Sequence, residues 1–222
     1  MKRFDQWWFP DHEEHLQDWM NTVGDRRHGR LTYQAHKYDA AMRYVTQRRC
    51  AIDVGAHVGL WSWMMARDFE IIEAFEPMQP HRACWQRNMF LVPGVGGVHP
   101  YALGADACTV HIRTRTANSS GDTGVEPDGE GVKVEQRTLD SFGFDEVDLI
   151  KIDCEGYELF VCEGARETLL RNKPVVIVEQ KPETGGPDRY GIGETDAVAY
   201  LKSLGAVRRE GIQGDYILSW DH

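Results

Sequence analysis

The period of the apolar residues changes several times along the chain, and each change marks a predicted element. Residues 11–22 predict a short helix capped by Asp11, with Glu14 three residues further on, and apolar residues recur at helical spacing over 34–46. Short apolar runs predict strands at 50–54, 71–75, 132–136, 147–152 and 174–178, and extended chain at 95–103, 109–113, 206–209 and 216–220. Helices are predicted at 58–67, 79–91, 157–171, with a break near Gly164, and 195–204.

Alternation of this kind predicts an α/β fold, a mostly parallel sheet with helices on both faces. The run over 174–178 is almost wholly apolar, which is typical of a strand buried on both faces. Two stretches, 117–131 and 181–193, contain small and turn-forming residues without an apolar period, and we expect both to be loops. Loops of this length in a compact domain often have a function, so we expect them to form the walls of a substrate site.

Composition narrows the class of partner. With 222 residues, 41% of them hydrophobic and 27% charged, the chain is long enough for one domain with a substantial core. Its net charge of -10 and its lack of a basic run argue against a nucleic acid bound mainly through its phosphates. A small molecule is the expected substrate, and the oligomeric state is left open.

The remaining composition favours a cytoplasmic protein. The apolar patch near the start is short and soon interrupted by acidic residues, unlike a signal peptide, and no apolar run reaches the roughly 18 residues of a membrane span. Five cysteines without a C-x-x-C pair are typical of reduced thiols. We expect residues 1–32 to be a helical and aromatic extension packed on a domain formed by 33–222; its aromatic residues form either a strap over the core or a surface for a partner.

The most informative segment joins the strand at 50–54 to the next helix and reads Asp53-Val54-Gly55-Ala56-His57-Val58-Gly59. Glycine lets the backbone turn closely around a ligand, and the first turn of the helix has free N–H groups. The spacing D-x-G-x-x-x-G differs from the G-x-G-x-x-G of dinucleotide-binding folds. It therefore favours S-adenosylmethionine, which has no phosphate, over NAD.

A carboxylate follows at the end of the next predicted strand. Glu76 lies 17 positions beyond Gly59, close to the spacing at which an acidic residue accepts hydrogen bonds from ribose hydroxyls. The alternative is that Glu76 only caps the helix that begins after Pro77. We favour ribose binding.

Two later strands end in charged residues. The apolar run at 147–150 leads into Lys151, Asp153 and Glu155, and the buried run at 174–178 leads into Glu179. Charged groups gathered at the mouth of a sheet are costly unless they bind something or pair with each other. The alternatives are a solvated turn in which Lys151 pairs with Glu155, and a Glu179 that merely caps a loop.

These motifs together resemble the FkbM-type S-adenosylmethionine-dependent methyltransferases. The resemblance extends over about residues 33–181 and rests on I-D-V-G-A-H-V-G, A-F-E-P, A-L-G at 102–104, T-L-D at 138–140, D-L-I-K-I-D-C-E-G-Y-E at 148–158, E-G-A at 163–165 and V-I-V-E at 176–179. It implies a class I methyltransferase fold, a Rossmann-like seven-stranded sheet whose last strand is antiparallel.

The resemblance also implies roles for individual residues. Around the cofactor, S-adenosylmethionine, it places Asp53, Gly55, Ala56, His57, Gly59, Glu76, Pro77, Met78, Ala102, Leu103 and Asp153, with Tyr33 and Gln34 as a weaker match. For the substrate it points to Asn118, Ser119 and Ser120, and we add Glu179 and Lys181 at the second loop. S-adenosylhomocysteine would be the product.

Methyl transfer to a hydroxyl of a sugar or another small metabolite is the leading interpretation, and the acceptor class comes mostly from the resemblance. An alcohol must also lose a proton, for which Asp153 is the favoured base, with Glu155 and Glu179 as further candidates. Lys151 would orient the acid or stabilise the alkoxide. His36 and His57 are alternative bases.

Other functions agree less well with these motifs. An NAD-dependent oxidoreductase lacks its expected G-x-G-x-x-G turn, and a non-catalytic cofactor-binding protein would keep the same motifs. Amino-group methylation of bases usually goes with a [D/N]-P-P-[Y/F] element, which this chain replaces by Asp153-Cys154-Glu155-Gly156. No metal ligand is assigned, and metal dependence is left open.

Overall fold

Strands and helices alternate along the computed structural model, which describes residues 1–180 and 187–221. The strands are Lys2–Phe4 (β1), Trp7–Phe9 (β2), Arg26–Arg27 (β3), Arg30–Leu31 (β4), Cys50–Val54 (β5), Ile71–Phe75 (β6), Val95–His99 (β7), Ala102–Leu103 (β8), Cys108–Thr116 (β9), Ser119–Val125 (β10), Val132–Arg137 (β11), Val147–Ile152 (β12), Val175–Glu179 (β13), Val207–Ile212 (β14) and Asp215–Ser219 (β15). The helices are His15–Val23 (α1), Ala35–Met42 (α2), Leu60–Asp68 (α3), Gln79–Asn88 (α4), Glu158–Glu163 (α5), Arg166–Asn172 (α6) and Asp196–Ser203 (α7), with 3-10 turns at Leu139–Phe142 and Pro187–Tyr190.

The central sheet has seven strands in the order β14-β15-β13-β12-β5-β6-β7. Neighbours from β13 to β7 are parallel, whereas β15 is antiparallel to both β13 and β14. The expected class I methyltransferase fold is therefore confirmed, including its antiparallel last strand. Because the chain order reverses between β5 and β12, the carboxyl ends of these two strands meet at a switch point, where α/β sheets bind ligands.

Both faces of the sheet are covered by apolar clusters. Residues of β5 alternate between them: Ala51 packs into the cluster with α2 and α3, and Ile52 packs into the cluster with α5 and α7. Every residue of β5 and of β13 is buried. This two-sided burial explains why these strands are recognisable as apolar runs in the sequence.

The N-terminal segment packs onto the first of these clusters. Trp7 and Phe9 are completely buried, and the Trp7 ring meets Trp63 edge-on with centroids 5.7 Å apart. Asn88 of α4 accepts a hydrogen bond from the amide of Trp8 and donates to its carbonyl oxygen, which fastens β2 to the domain. The aromatic residues therefore act as a strap over the protein's own core.

One predicted loop is a strand. Residues 119–125, within the predicted loop 117–131, form β10, which pairs antiparallel with β9 in a smaller sheet of order β10-β9-β11-β8. The sequence of β10, S-S-G-D-T-G-V, has no apolar period. Polar contacts hold it in place, such as Thr114 with Thr123 and Arg115 with the carbonyl oxygen of Val125, and such contacts leave no hydrophobic signal. The other predicted loop, 181–193, falls partly outside the described residues.

Several helix ends also differ from the prediction. Helix α1 begins at His15 rather than at 11, and Asp11 does not cap it, because Glu13 accepts the hydrogen bond from the amide of Leu16. The predicted break near Gly164 is present between α5 and α6. A Cβ on Gly164 would lie 2.0 Å from the carbonyl oxygen of Gly104, so close backbone packing requires glycine here.

Candidate active site

A cavity of about 980 Å³, including its open mouth, lies at the carboxyl ends of β5, β6 and β12. The sequence-predicted site residues that line it are Tyr33, Asp53, Gly55, Ala56, His57, Glu76, Pro77, Ala102, Leu103, Ser120, Lys151, Asp153 and Glu155. Seven predicted residues are not among its lining residues: Gln34, His36, Gly59, Met78, Asn118, Ser119 and Glu179. Lys181 lies outside the described residues.

The glycine loop is shaped first by protein contacts. Gly55 has a φ of +76°, and a Cβ on it would lie 1.9 Å from the carbonyl oxygen of Asp153. Gly59 has a φ of +91°, and its Cβ would lie 2.8 Å from Cδ1 of Trp85. The glycines thus allow β5 to approach β12, and α3 to approach α4, whether or not a ligand is bound.

Glu76 ties this loop to the start of α4. Its Oε2 accepts a hydrogen bond from the amide of His57 (2.9 Å), and its Oε1 accepts one from the amide of Met78 (2.8 Å). Nδ1 of His81 lies 3.3 Å from Oε1 but lacks hydrogen-bond geometry. Because a carboxylate has about four lone-pair sites, Glu76 retains acceptor capacity on the cavity side.

A buried cation lies between two acids at the ends of β5 and β12. Nζ of Lys151 donates to Asp153 (3.0 Å) and lies 3.9 Å from Oδ1 of Asp53, an oxygen without a hydrogen-bond partner among the described residues. Oδ2 of Asp53 accepts a hydrogen bond from Ser62. Burial raises the pKa of Asp53 despite Lys151. Burial also opposes the charge on Lys151, but Asp153 and Asp53 outweigh it and raise the pKa of Lys151. Lys151 is therefore charged at neutral pH.

Three carboxylates gather at the ends of β12 and β13. Asp153, Glu155 and Glu179 each offer one oxygen, and these three atoms lie within 4.8 Å of one another. Glu179 is brought close by β13, although it is not a lining residue of the cavity. Such a group of oxygens suits a proton or a divalent cation.

Glu158 stabilises the turn that carries Asp153 and Glu155. Its Oε1 accepts hydrogen bonds from the amides of Cys154 (2.8 Å) and Gly156 (3.0 Å). Burial raises the pKa of Glu158 to about 7, although these backbone hydrogen bonds oppose the shift. Burial also raises the pKa of the Cys154 thiol well above its usual range. Cys154 is thus a protonated thiol and not a nucleophile.

Ser120 connects the hairpin to the glycine loop and to the N-terminal segment. Its Oγ lies 2.7 Å from Nε2 of His57 and 2.6 Å from Oε2 of Glu13. Burial lowers the pKa of His57 well below its usual value, and His81 adds to the shift. Sequence reasoning did not identify Glu13, because a carboxylate beside a helix start has no pattern that distinguishes it from a cap.

The sequence matches the model of the family described as methyltransferase FkbM domain over residues 53–206. No curated protein matches the chain.

Solved structures share the fold. A methyltransferase FkbM from Methylobacillus flagellatus KT is 20% identical with a TM-score of 0.51; the match covers 77% of this chain and 43% of that one, so this chain spans less than half of its length. A precorrin 8W decarboxylase from Methanobacterium thermoautotrophicum is 13% identical with a TM-score of 0.52, over 99% of both chains. A Streptococcus mutans protein in complex with SAH (S-adenosylhomocysteine) is 10% identical with a TM-score of 0.50, over 83% of this chain and 94% of that one.

At these identities the solved structures establish the fold and not the activity, which depends on the residues of the site. The family model covers more than half of the chain and includes both the glycine loop and the turn at Asp153. The chain belongs to the FkbM methyltransferase family.

Proposed function

We propose that this protein is an S-adenosylmethionine-dependent O-methyltransferase that acts on a hydroxyl of a sugar or of another small hydroxylated molecule. The observation that carries the proposal is the single cavity that joins the glycine loop, Glu76 and the Lys151–Asp153 pair. We further propose that the protein is cytoplasmic and takes a small-molecule acceptor rather than a nucleic acid, in keeping with its net charge of -10. In the described part of the chain, no helix is long and apolar enough to span a bilayer.

The residues present fit this cofactor. Oδ1 of Asp53 is buried without a hydrogen-bond partner in the described residues, which suits a donor such as the ammonium group of the methionine part. Glu76 has acceptor capacity for ribose hydroxyls, and Pro77, Ala102 and Leu103 offer apolar contacts on the same cavity wall. When bound, the cofactor supplies an electrophilic methyl group on a sulfonium.

The proton of the acceptor hydroxyl goes to a carboxylate of this chain. Asp153 is the favoured base for this proton because it lines the cavity and is hydrogen-bonded to Lys151. Glu155 and Glu179 lie close enough to share the proton. Lys151 remains charged and orients Asp153, while its positive charge stabilises the oxygen that loses the proton.

Ligand-induced thermal stabilisation tests cofactor binding. S-adenosylhomocysteine at about 100 times its Kd stabilises a protein by about 2.7 kcal/mol, so a clear rise in Tm is expected. NAD serves as the comparison. A shift with NAD alone would contradict the proposal and favour an oxidoreductase.

Transfer of a labelled methyl group to a library of hydroxylated acceptors tests the reaction. Asp153→Asn is expected to lower kcat by about 10²–10⁴, the range for loss of a general base. Glu76→Ala is expected to raise the KM for the cofactor, and Asp128→Asn, an exposed substitution, serves as the control. Undiminished transfer by both site variants would show that the site is assigned wrongly. Repeating the assay with EDTA and with added Mg²⁺ decides whether the three carboxylates act through a cation.

A further inference from the structure

Glu13 is a fully buried carboxylate in the N-terminal segment, and three hydrogen-bond donors point at it. Its Oε1 accepts from the amide of Leu16 (2.7 Å), and its Oε2 accepts from both the amide (2.5 Å) and the hydroxyl (2.6 Å) of Ser120. Helix capping needs only the first of these. The other two connect Glu13 to a hairpin that forms part of the cavity wall.

The directions of the hydrogen bonds follow from proton counting. A hydroxyl has one proton, and Ser120 donates it to Oε2 of Glu13, the same oxygen that accepts from the Ser120 amide. Oγ of Ser120 can then only accept from His57, whose Nε2 lies 2.7 Å away. The proton of the neutral imidazole is thus on Nε2, and Nδ1 carries a lone pair.

Nδ1 of His57 is left for a ligand. The ring lines the cavity, and no hydrogen bond from the described residues reaches Nδ1. His81 packs edge-on against the ring at 4.5 Å, and Glu76 accepts a hydrogen bond from the backbone amide of His57. A lone pair at this position is complementary to a ligand N–H or O–H.

We propose that Glu13 is a positioning residue of the cofactor site: through Ser120 it holds His57 in the Nε2-protonated form, so that Nδ1 accepts a hydrogen bond from the bound cofactor. The inference rests on the proposed function. The donor on the cofactor is either its ammonium group or a ribose hydroxyl. Glu13 lies outside the family match at 53–206, so the N-terminal segment of this chain completes a site whose glycine loop belongs to the family.

Histidine ¹⁵N–¹H correlation spectra of the full chain test the first half without any ligand. We expect His57, assigned from the signal lost in His57→Asn, to be protonated on Nε2 at neutral pH. Ser120→Ala should abolish this preference because it removes the hydroxyl that accepts from Nε2 of His57. Glu13→Gln should also abolish it, because a glutamine side chain would turn an N–H toward one of the donors from which Glu13 now accepts. The matched control is the exposed Glu14→Gln, which should leave the protonation of His57 unchanged. Protonation on Nδ1, or no change in either relay variant, would overturn the proposal.

Calorimetric binding tests the second half. Ser120→Ala and Glu13→Gln should raise the Kd for S-adenosylhomocysteine about tenfold, the effect of one buried hydrogen bond, with unchanged circular dichroism. A similar loss for 5′-methylthioadenosine, which lacks the amino-acid part, would identify the ribose hydroxyl as the donor; a loss for S-adenosylhomocysteine alone would identify the ammonium group. Unchanged affinity in folded relay variants would refute the positioning role.

Binding of S-adenosylhomocysteine distinguishes failure of the proposed function from failure of the positioning role of Glu13. If the wild-type protein binds no S-adenosylhomocysteine, the proposed function is wrong and the cofactor role of His57 falls with it, whatever the tautomer. If the wild type binds it and the relay variants bind equally well, only the positioning role of Glu13 is wrong.

Discussion

At the scale of single residues, the geometry of the site depends on side chains and glycines that make contacts within the protein. Gly55 lies against the backbone of Asp153, and Glu158 accepts hydrogen bonds from two amides of the turn that follows. These contacts determine where the two acids of that turn, Asp153 and Glu155, point. Two substitutions test how strongly these contacts affect the free energy of unfolding.

Gly55→Ala should destabilise the protein strongly. The substitution combines the left-handed backbone cost with a clash between Cβ and a carbonyl oxygen at 1.9 Å, which β12 can relieve only by moving. We expect a loss of about 3 kcal/mol or more in the free energy of unfolding, measured in urea. Gly143→Ala is the control, because Gly143 has a φ of +66° with nothing within 4 Å of its Cβ, and it should cost about 1 kcal/mol. Equal losses would contradict the role of close packing.

Glu158 should make stability depend on pH. Its pKa is about 7 in the folded protein and is raised from 4.5. The stability that the protonated side chain contributes is therefore fully present below pH 4.5 and is lost as the pH rises through 7. Glu158→Gln mimics the protonated acid, so the stability of the variant should not fall in this way. Relative to the wild type, the variant should therefore become more stable by about 3 kcal/mol as the pH rises from about 4.5 to about 8. Urea unfolding at both pH values measures this. Glu163→Gln, an exposed change on the same helix, should show no such gain; a pH-independent difference for Glu158→Gln would refute the assignment.

At the scale of elements, the N-terminal segment and the β9–β10 hairpin form a cover over the carboxyl edge of the sheet. The two are joined by the amides of Glu14 and His15, which both donate to the carbonyl oxygen of Asn118, and by Glu13 with Ser120. Asn118 thus contributes its backbone to this joint. The cover is anchored at its other end by Trp7.

Trp7→Ala should therefore loosen the whole segment. Trp7 is completely buried, donates to the carbonyl oxygen of Leu31 and lies under the guanidinium of Arg30 at 4.4 Å. We expect a loss of about 3–5 kcal/mol, together with faster amide hydrogen exchange over residues 1–31. Trp8→Ala is the comparison, since Trp8 is only partly buried, and it should cost about 1–2 kcal/mol. If the two losses were equal, Trp7 would not be the anchor.

At the scale of the whole molecule, one sheet serves as the wall of two apolar clusters. The tryptophans divide unevenly: Trp7, Trp61, Trp63 and Trp85 belong to one cluster and Trp220 to the other. Each central strand contributes residues to both clusters, as β5 does with Ala51 and Ile52. We therefore expect the two faces of the sheet to unfold together.

Tryptophan fluorescence and far-ultraviolet circular dichroism should accordingly give coincident urea transitions. Fluorescence reports mainly on the face that carries four of these tryptophans, and circular dichroism reports on the entire sheet and its helices. A fluorescence transition at lower urea would show that the N-terminal face unfolds separately. It would also indicate that the N-terminal extension, predicted to end at residue 32, folds separately from the domain.

The sequence by itself determined the fold class and placed three acidic residues together at the cavity. The strands at 50–54, 71–75 and 147–152 begin and end where predicted, because each is an apolar run next to residues that interrupt it. Asp53, Glu76 and Asp153 come at the ends of those strands. Parallel strands bring their carboxyl ends to the same edge, so local patterns were enough to place these residues together.

The tertiary structure alone decided what closes the site. Strand β10 carries no apolar period, and the contact between Glu13 and Ser120 joins residues 107 positions apart. It also assigned Gly55 to packing against Asp153, a role that the glycine motif does not reveal. Such contacts depend on where distant segments meet after folding and leave no periodic trace, whereas hydrophobic period and turn chemistry are written locally in the chain.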